Sequence, residues 1–94
     1  MTHELKSWPC FFELVRRGIK RFECRKDDRG FHVGDILWLR EWDPNTQQYT
    51  GRNLKIPVLY ILHGPFNGLA EGFVIMSLDY VYNYVGPIYV DNSK

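Results

Sequence analysis

The sequence predicts a mainly β fold with one N-terminal helix, an α+β domain whose strands form a small β-barrel. Several short apolar segments recur at roughly ten-residue spacing between glycine- or proline-containing turns, as is typical of small sheets and barrels. One segment near the start, by contrast, has the periodicity of an amphipathic helix. Closing the sheet would remove exposed strand edges, which a chain of 94 residues has little other structure to cover.

Length and composition indicate a single domain that spans residues 1–94. Hydrophobic residues make up 45% of the chain and charged residues 24%, which is the balance of a folded globular protein rather than of a disordered one. No apolar run approaches the ~20 residues that span a bilayer, and residues 1–6 lack the hydrophobic core of a signal peptide. We therefore expect a cytoplasmic protein that does not bind membranes.

The N-terminal segment predicts a short extended piece at residues 3–6 and then a helix at residues 8–17. Ser7 is a suitable N-cap, and Pro9 fits the first helical turn. Gly18 is suited to ending the helix in a left-handed conformation. The apolar face of the helix consists of Trp8, Phe11, Phe12, Val15 and Ile19. Because so short a helix is unstable alone, we expect this face to pack on the sheet.

The rest of the chain predicts β-strands at residues 20–25, 36–42, 54–62 and 73–78. The second of these is apolar on both faces, which indicates a central strand. Pro57 lies inside an alternating segment and therefore predicts either an edge strand or a bulge. Residues 79–94 alternate only in part, so this tail either adds a last strand or lies along the surface.

Positive charge is concentrated just after the predicted helix. Residues 16–29 carry seven Lys or Arg residues against three Asp or Glu residues, although the net charge of the chain is only +1. Such a cluster is either a solvated charged face or a contact surface for a few phosphates. The three histidines are far apart and the two cysteines are too few for a zinc site. We therefore expect no metal, no cofactor and two reduced, partly buried thiols.

Two segments carry the pattern of a known superfamily. They read His3-Glu4-Leu5-Lys6-x-Trp8-Pro9 and Gly18-x-Lys20-x-Phe22-Glu23-x-Arg25-Lys26-x-Asp28-Arg29-x-Phe31-x-Val33-Gly34-Asp35-x-Leu37. Five residues beyond them belong to the same pattern: Glu41, Asp43, Tyr49, Thr50 and Gly51. The whole pattern resembles the ASCH superfamily and, within it, the small bacterial and phage domains called DUF3850. The resemblance runs from about residue 3 to about residue 78 and implies a PUA-like β-barrel.

This resemblance implies a domain that handles RNA or a modified nucleobase in a cleft beside the first helix. We expect the cleft, which would take an RNA, nucleoside or nucleotide ligand, to be lined by Lys6, Trp8, Lys20, Glu23, Arg25, Lys26 and Arg29. In this hypothesis an aromatic ring stacks on a base, Glu23 accepts hydrogen bonds from an exocyclic amine, and the basic residues hold phosphate.

Two other functions stay open from the sequence. One branch of the superfamily is an amidohydrolase that deacetylates N4-acetylcytidine with the Lys of the Gly-x-Lys motif, a Thr three residues later and a distant Glu. Lys20 matches that Lys, but Glu23 stands at the Thr position, so a catalytic pair of Lys20 and Glu23 is the alternative. The only candidate for the distant Glu is Glu71. The third interpretation is a protein-interaction module whose aromatic tail, Tyr80 to Tyr89, docks a partner.

The candidate residues also have structural interpretations. Lys20 and Glu23 would form a plain ion pair, and strict alternation along a strand would place them on opposite faces. They converge only if Lys20 lies in the turn after the helix or if a bulge intervenes. Trp8 would be a core residue. The aromatic residues around the predicted hairpin would form cross-strand pairs; they are Trp38, Trp42 and Tyr49.

Overall fold

The structure is a computed structural model that describes residues 1–88. Within this part of the chain it contains one helix and six strands, so the predicted mainly β fold with an N-terminal helix is confirmed. In chain order the elements are β1 (Thr2–Ser7), α1 (Pro9–Arg16), β2 (Phe22–Lys26), β3 (Ile36–Asp43), β4 (Gln48–His63), β5 (Phe73–Leu78) and β6 (Asn83–Val85).

The strands form one sheet in the order β1-β3-β4-β5-β2, and β6 also pairs with β4. β1 runs parallel to β3, whereas the other pairs are antiparallel. The long β4 pairs with β3 up to Pro57 and with β5 from Val58 onward. Pro57 itself is paired in register with Ile36, and a bulge lies just beyond it, between Val58 and Tyr60. Pro57, which has no backbone N–H to donate, thus lies where β4 changes its pairing partner from β3 to β5.

The pairings do not close this sheet into a barrel. β1 and β2 are its two end strands, and no backbone ladder joins them within residues 1–88. Arginine side chains from the β2 segment bridge them instead: Arg25 Nη2 donates to the Lys6 carbonyl at 2.6 Å, and Arg29 Nη1 donates to the Glu4 carbonyl at 2.7 Å. These contacts cover carbonyl groups that the end strand would otherwise expose. The predicted barrel closure is therefore not confirmed, and we call this junction the arginine seam.

Helix α1 begins one residue later than predicted. Ser7 is not its N-cap, because it is the buried last residue of β1 and is paired with Glu41. Trp8 occupies the N-cap position without a side-chain capping bond, and Pro9 starts the helix. Gly18 has a φ of +73° just after the helix, which confirms the predicted left-handed stop.

The hydrophobic core lies between α1 and the inward face of the sheet. In β1, β3, β4 and β5 buried and more exposed positions alternate, as the period of a strand requires. The helix contributes Phe12 and Val15 to this core, and the strands contribute Leu5, Leu37, Leu39, Leu54, Ile56, Val58, Ile61, Val74, Met76 and Leu78. The outward positions of the sheet remain available for other contacts.

Strand β6 shows how part of the C-terminal tail, residues 79–94, is arranged. β6 pairs with residues 53–55 of β4, and Tyr84 packs against the core. The added-strand alternative is therefore confirmed for this segment. Tyr80 and Tyr82 are exposed, whereas Tyr89 lies outside the described residues.

A buried ion network connects the helix to the sheet. The Arg52 guanidinium of β4 is 4% exposed and binds both carboxylate oxygens of Glu41 in β3, at 2.9 and 2.7 Å. It also donates to Glu13 of α1 at 3.0 Å and to the Tyr84 hydroxyl at 3.4 Å. Glu13 in turn binds Arg16, and Thr50 donates to Glu41. This network holds α1 against β3, β4 and β6, and thereby positions the elements beside the helix start.

Candidate functional site

A pocket of about 470 Å³ opens beside the start of α1, between the end of β1 and the start of β2. Its volume lies within the range of about 300–1,000 Å³ that is typical of small-molecule sites. Five of the seven predicted site residues line it: Lys6, Trp8, Lys20, Glu23 and Arg25. The other lining residues are Ser7, Phe11, Phe22 and Cys24.

The polar centre of the pocket is the Glu23 carboxylate, which lies between two cations. Glu23 is 4% exposed. Lys20 Nζ is 3.0 Å from one carboxylate oxygen, and Arg25 Nε is 2.6 Å from the other. Lys20 also donates to the Phe22 carbonyl at 2.8 Å. Two positive charges against one negative charge leave this centre with a surplus of hydrogen-bond donors.

Lys20 and Glu23 meet because Lys20 lies before β2 rather than inside it. The backbone N–H groups of Ile19 and Lys20 both bond to the Leu14 carbonyl, which folds this turn back against the end of α1. β2 begins only at Phe22, so strand alternation does not apply to residue 20. The turn alternative, not a bulge, accounts for the pair.

Half-exposed aromatic rings form the wall of the pocket. Trp8 is 52% exposed, and Phe11 and Phe22 are each 48% exposed. The core interpretation of Trp8 is therefore wrong, because the residue precedes the helix, whose buried residues are Phe12 and Val15. Lys20 Nζ lies 4.7 Å from the Phe22 ring centre, within cation–π range. Clustered exposed rings of this kind mark a surface that a ligand can cover.

Lys26 and Arg29 do not line the pocket. Lys26 is exposed at the end of β2. The guanidinium of Arg29 bonds to the Glu4 carbonyl in the arginine seam and lies 3.7 Å from Asp28. Arg25 belongs to both features, since its Nε binds Glu23 and its Nη2 binds the Lys6 carbonyl. The basic cluster after the helix thus divides into a pocket part and a seam part.

Arg29→Ala is expected to lower the free energy of unfolding by about 1 kcal/mol, because it removes a charged hydrogen bond to the edge of β1. The matched control Lys26→Ala removes a neighbouring exposed cation and is expected to leave stability unchanged. Urea denaturation of both variants measures the difference. Equal stabilities of the two variants would contradict a holding role for Arg29 in the seam.

Sequence reasoning missed several lining residues. The helical periodicity predicts Phe11 on the buried face, but in the structure Phe11 is half-exposed and lies one position away from the buried Phe12. Both cysteines are exposed, which contradicts the prediction of partly buried thiols. Cys24 alternates with Glu23 and Arg25 along β2, and this alternation was the available signal for its exposure. Phe22 shares that exposed face.

Two further features of the described residues bear on function. A second cavity of about 350 Å³ lies at the other end of α1, and Lys20 lines both cavities. Within residues 1–88 there is no group of three or more His, Cys, Asp and Glu side chains arranged to hold a metal ion. In the same part of the chain, no helix has the length and apolar character needed to cross a membrane.

Comparison with known proteins places the chain in a family. An uncharacterized 12.9 kDa protein in the GpA 3′ region of Escherichia phage P2 is 43% identical over 53 residues, which is 56% of this chain. The matched segment spans about half of that relative, 47% of its length. The sequence profile of a domain of unknown function, DUF3850, matches residues 2–78, which includes every residue that lines the pocket. The chain belongs to the DUF3850 family.

Proposed function

We propose that the protein is a binding module for RNA or a modified nucleobase, and that the ligand's base occupies the pocket beside α1. The observation that carries this proposal is the Glu23 carboxylate, which is held between Lys20 and Arg25 at the centre of a pocket walled by half-exposed rings. An acceptor flanked by donors, next to flat apolar surfaces, is the combination that recognises a heteroaromatic base by its edge and its face.

Each part of the pocket has a distinct task in this proposal. The rings of Trp8, Phe11 and Phe22 stack on the base, and one such contact is worth about 1–3 kcal/mol. Glu23 accepts a hydrogen bond from an exocyclic amine, since a carboxylate has about four lone-pair sites and the described residues use two of them, through Lys20 and Arg25. Lys20 and Arg25 donate to base carbonyls or to a nearby phosphate.

The proposal includes a finer classification of the fold. The motifs around Lys20 and Asp35 resemble the ASCH superfamily, and the position of the pocket beside the first helix supports that assignment. The order of the strands, with β1 and β2 brought together at the arginine seam, supports a PUA-like barrel that side chains rather than a ladder close.

A pair of variants tests the site, with fluorescence anisotropy of labelled oligocytidylate and oligouridylate of about ten nucleotides as the measurement. Glu23→Gln is expected to weaken oligocytidylate binding about tenfold, because cytosine carries an exocyclic amine, and to leave oligouridylate binding nearly unchanged. Lys20→Met is expected to weaken binding of both. Arg17→Ala, which removes an exposed cation outside this pocket, is the matched control for charge.

The sign of the Glu23→Gln effect separates recognition from simple attraction. This substitution makes the protein more positive, so a surface that only attracts phosphate would bind both oligonucleotides more tightly. A rise in affinity, or identical changes for the two oligonucleotides, would contradict base recognition by Glu23. Circular dichroism and thermal midpoints of the variants confirm that the fold is retained.

One observation favours a second function, amide hydrolysis. Lys20 Nζ and the Glu23 carboxylate lie 3.0 Å apart within the pocket, which is the proximity that a catalytic amine and its proton acceptor require. Incubation with N4-acetylcytidine followed by chromatography tests it. Release of cytidine that Lys20→Met abolishes would establish the enzyme, whereas absence of turnover together with salt-sensitive RNA retention would support the binding module.

A further inference from the structure

The outward face of the β1-β3-β4 part of the sheet carries aromatic and cationic side chains next to one another. Burial alternates along β1 and β3, so the more exposed side chains of both strands share this side. We define the outer face by Lys6 of β1, by Trp38, Arg40 and Trp42 of β3, and by Tyr49 and Lys55 of β4. Trp42 and Tyr49 are register partners, so the predicted cross-strand pair is present.

Each cation of the outer face lies over a ring. Arg40 Cζ is 3.8 Å from the Tyr49 ring centre and 5.5 Å from that of Trp38. Lys55 Nζ is 5.5 Å from the Trp38 ring centre, on the side of the neighbouring strand. Trp38 also donates from Nε1 to Asn53 at 2.9 Å, and this bond fixes the plane of the ring. The outer face is therefore a set of oriented rings with positive charge between them.

The charge of this face suits a polyanion. Within residues 1–88 its three cations, Lys6, Arg40 and Lys55, have one carboxylate in ion-pair contact, that of Glu4, which lies 3.0 Å from Arg40. A single-stranded nucleic acid suits this surface, because its unstacked bases can stack on the rings and its phosphates can bind the cations.

Lys6 connects the outer face to the pocket. It lines the pocket, and its Nζ lies 4.5 Å from the Trp42 ring centre. Because β1 and β3 are parallel with Lys6 opposite Arg40, the mouth of the pocket and the Trp42 end of β3 lie at the same end of the sheet. From Trp38 to Trp42 the strand rises by roughly 13 Å, which leaves room for about two nucleotides next to the one in the pocket.

We infer that the outer face holds the nucleotides that flank the base in the pocket, so that the ligand is a single-stranded nucleic acid rather than a free nucleoside. This inference rests on the proposed function. Each unstacked base needs an aromatic face on which to stack, and Trp38, Trp42 and Tyr49 supply rings along this side of the sheet. A free nucleoside would use the pocket and leave the outer face unoccupied.

Two ligands and two sets of variants test the inference. The ligands are cytidine monophosphate and labelled oligocytidylate of about ten nucleotides. Trp38→Leu and, independently, Lys55→Glu are expected to weaken the oligonucleotide about tenfold and to leave the mononucleotide unchanged. Lys20→Met is expected to weaken both ligands, and Arg17→Ala is the charge control. Wild-type affinity is expected to rise with oligonucleotide length up to about three or four nucleotides.

The outcomes separate the two proposals. If Lys20→Met weakens the oligonucleotide while Trp38→Leu and Lys55→Glu do not, the outer face has another occupant, such as a protein, and the inference is overturned although the proposed function stands. If neither ligand binds, the proposed function fails and takes the inference with it. Equal affinity for double-stranded RNA would also overturn the inference, because paired bases cannot stack on these rings. Lys55→Glu keeps the test valid should Trp38→Leu fail to fold.

Discussion

Replacing Arg52 by methionine is expected to lower the free energy of unfolding by about 3–5 kcal/mol. The guanidinium is 4% exposed and donates to Glu41 of β3 and to Glu13 of α1. A methionine fills much of the same volume, but it takes two hydrogen bonds away from the buried Glu41 carboxylate and leaves the Thr50 hydroxyl donating to it. A protein of this size has a total stability of about 5–15 kcal/mol, so the loss is a large fraction of it. Urea denaturation followed by tryptophan fluorescence measures it.

The double variant Arg52→Met with Glu41→Leu is the matched control. Replacement of a whole buried ion pair by apolar residues is often neutral, whereas removal of one partner strands a charge. We therefore expect the double variant to recover most of the stability that the single variant loses. A single variant within about 1 kcal/mol of the wild type would contradict the assignment of the network as a clamp between helix and sheet.

Acidification is expected to lower the free energy of unfolding by several kcal/mol through two carboxylates, since each unit by which folding lowers a pKa is worth about 1.4 kcal/mol. The Arg16 side chain, and then that of Arg52, lowers the pKa of Glu13 from 4.5 to about 2. Burial by itself would raise the pKa of Asp35, but hydrogen bonds from His3, from the His32 backbone and from the N-terminal ammonium lower it from 3.8 to about 2. Opposing burial in the same way, Arg52 lowers the pKa of Glu41.

The direction of the pH effect follows from these depressed values. The unfolded chain takes up protons at Glu13 and Asp35 at a higher pH than the folded chain does, so folding stability is complete above about pH 5 and falls as the pH drops from 4.5 towards 2. Urea unfolding at a series of pH values measures this slope. Asp35→Asn is expected to be less stable at neutral pH and to show a shallower acid slope. An unchanged slope in that variant would show that Asp35 does not contribute.

Local patterns predicted most of the strands, because alternation and apolar runs directly record burial. The strand at residues 73–78 was predicted with its observed bounds, and β3 differs by one residue. The start of β4 was not predicted, since residues 48–53 have no apolar alternation. Arg52 faces inward there, and its burial depends on Glu41 and Glu13, which no local pattern reveals. The parallel pairing of β1 with β3 likewise depends on contacts between residues more than thirty positions apart.

The candidate site likewise has residues that a local motif groups together and residues that only long-range contacts bring near them. Lys20, Glu23 and Arg25 are close in the chain, so a motif was sufficient to group them. Only the family resemblance grouped Lys6 and Trp8 with these residues. The two lie at the end of β1 and just after it, and they come next to β2 only in the folded sheet. The bond from Arg29 to the Glu4 carbonyl spans 25 positions and was not predictable from charge alone. The sequence shows a cluster of basic residues, but only the fold shows which of these side chains donate hydrogen bonds to backbone carbonyls.

The arginine seam joins the end strands by two side-chain hydrogen bonds, which can break without the loss of any backbone ladder. Breaking a backbone ladder disrupts many hydrogen bonds at once. The bonds of Arg25 and Arg29 can instead break one at a time, and each costs about 1–3 kcal/mol. Because Arg25 bonds both to the Lys6 carbonyl in the seam and to the Glu23 carboxylate, any change that moves its guanidinium alters the contact between the end strands and the polar centre of the pocket together.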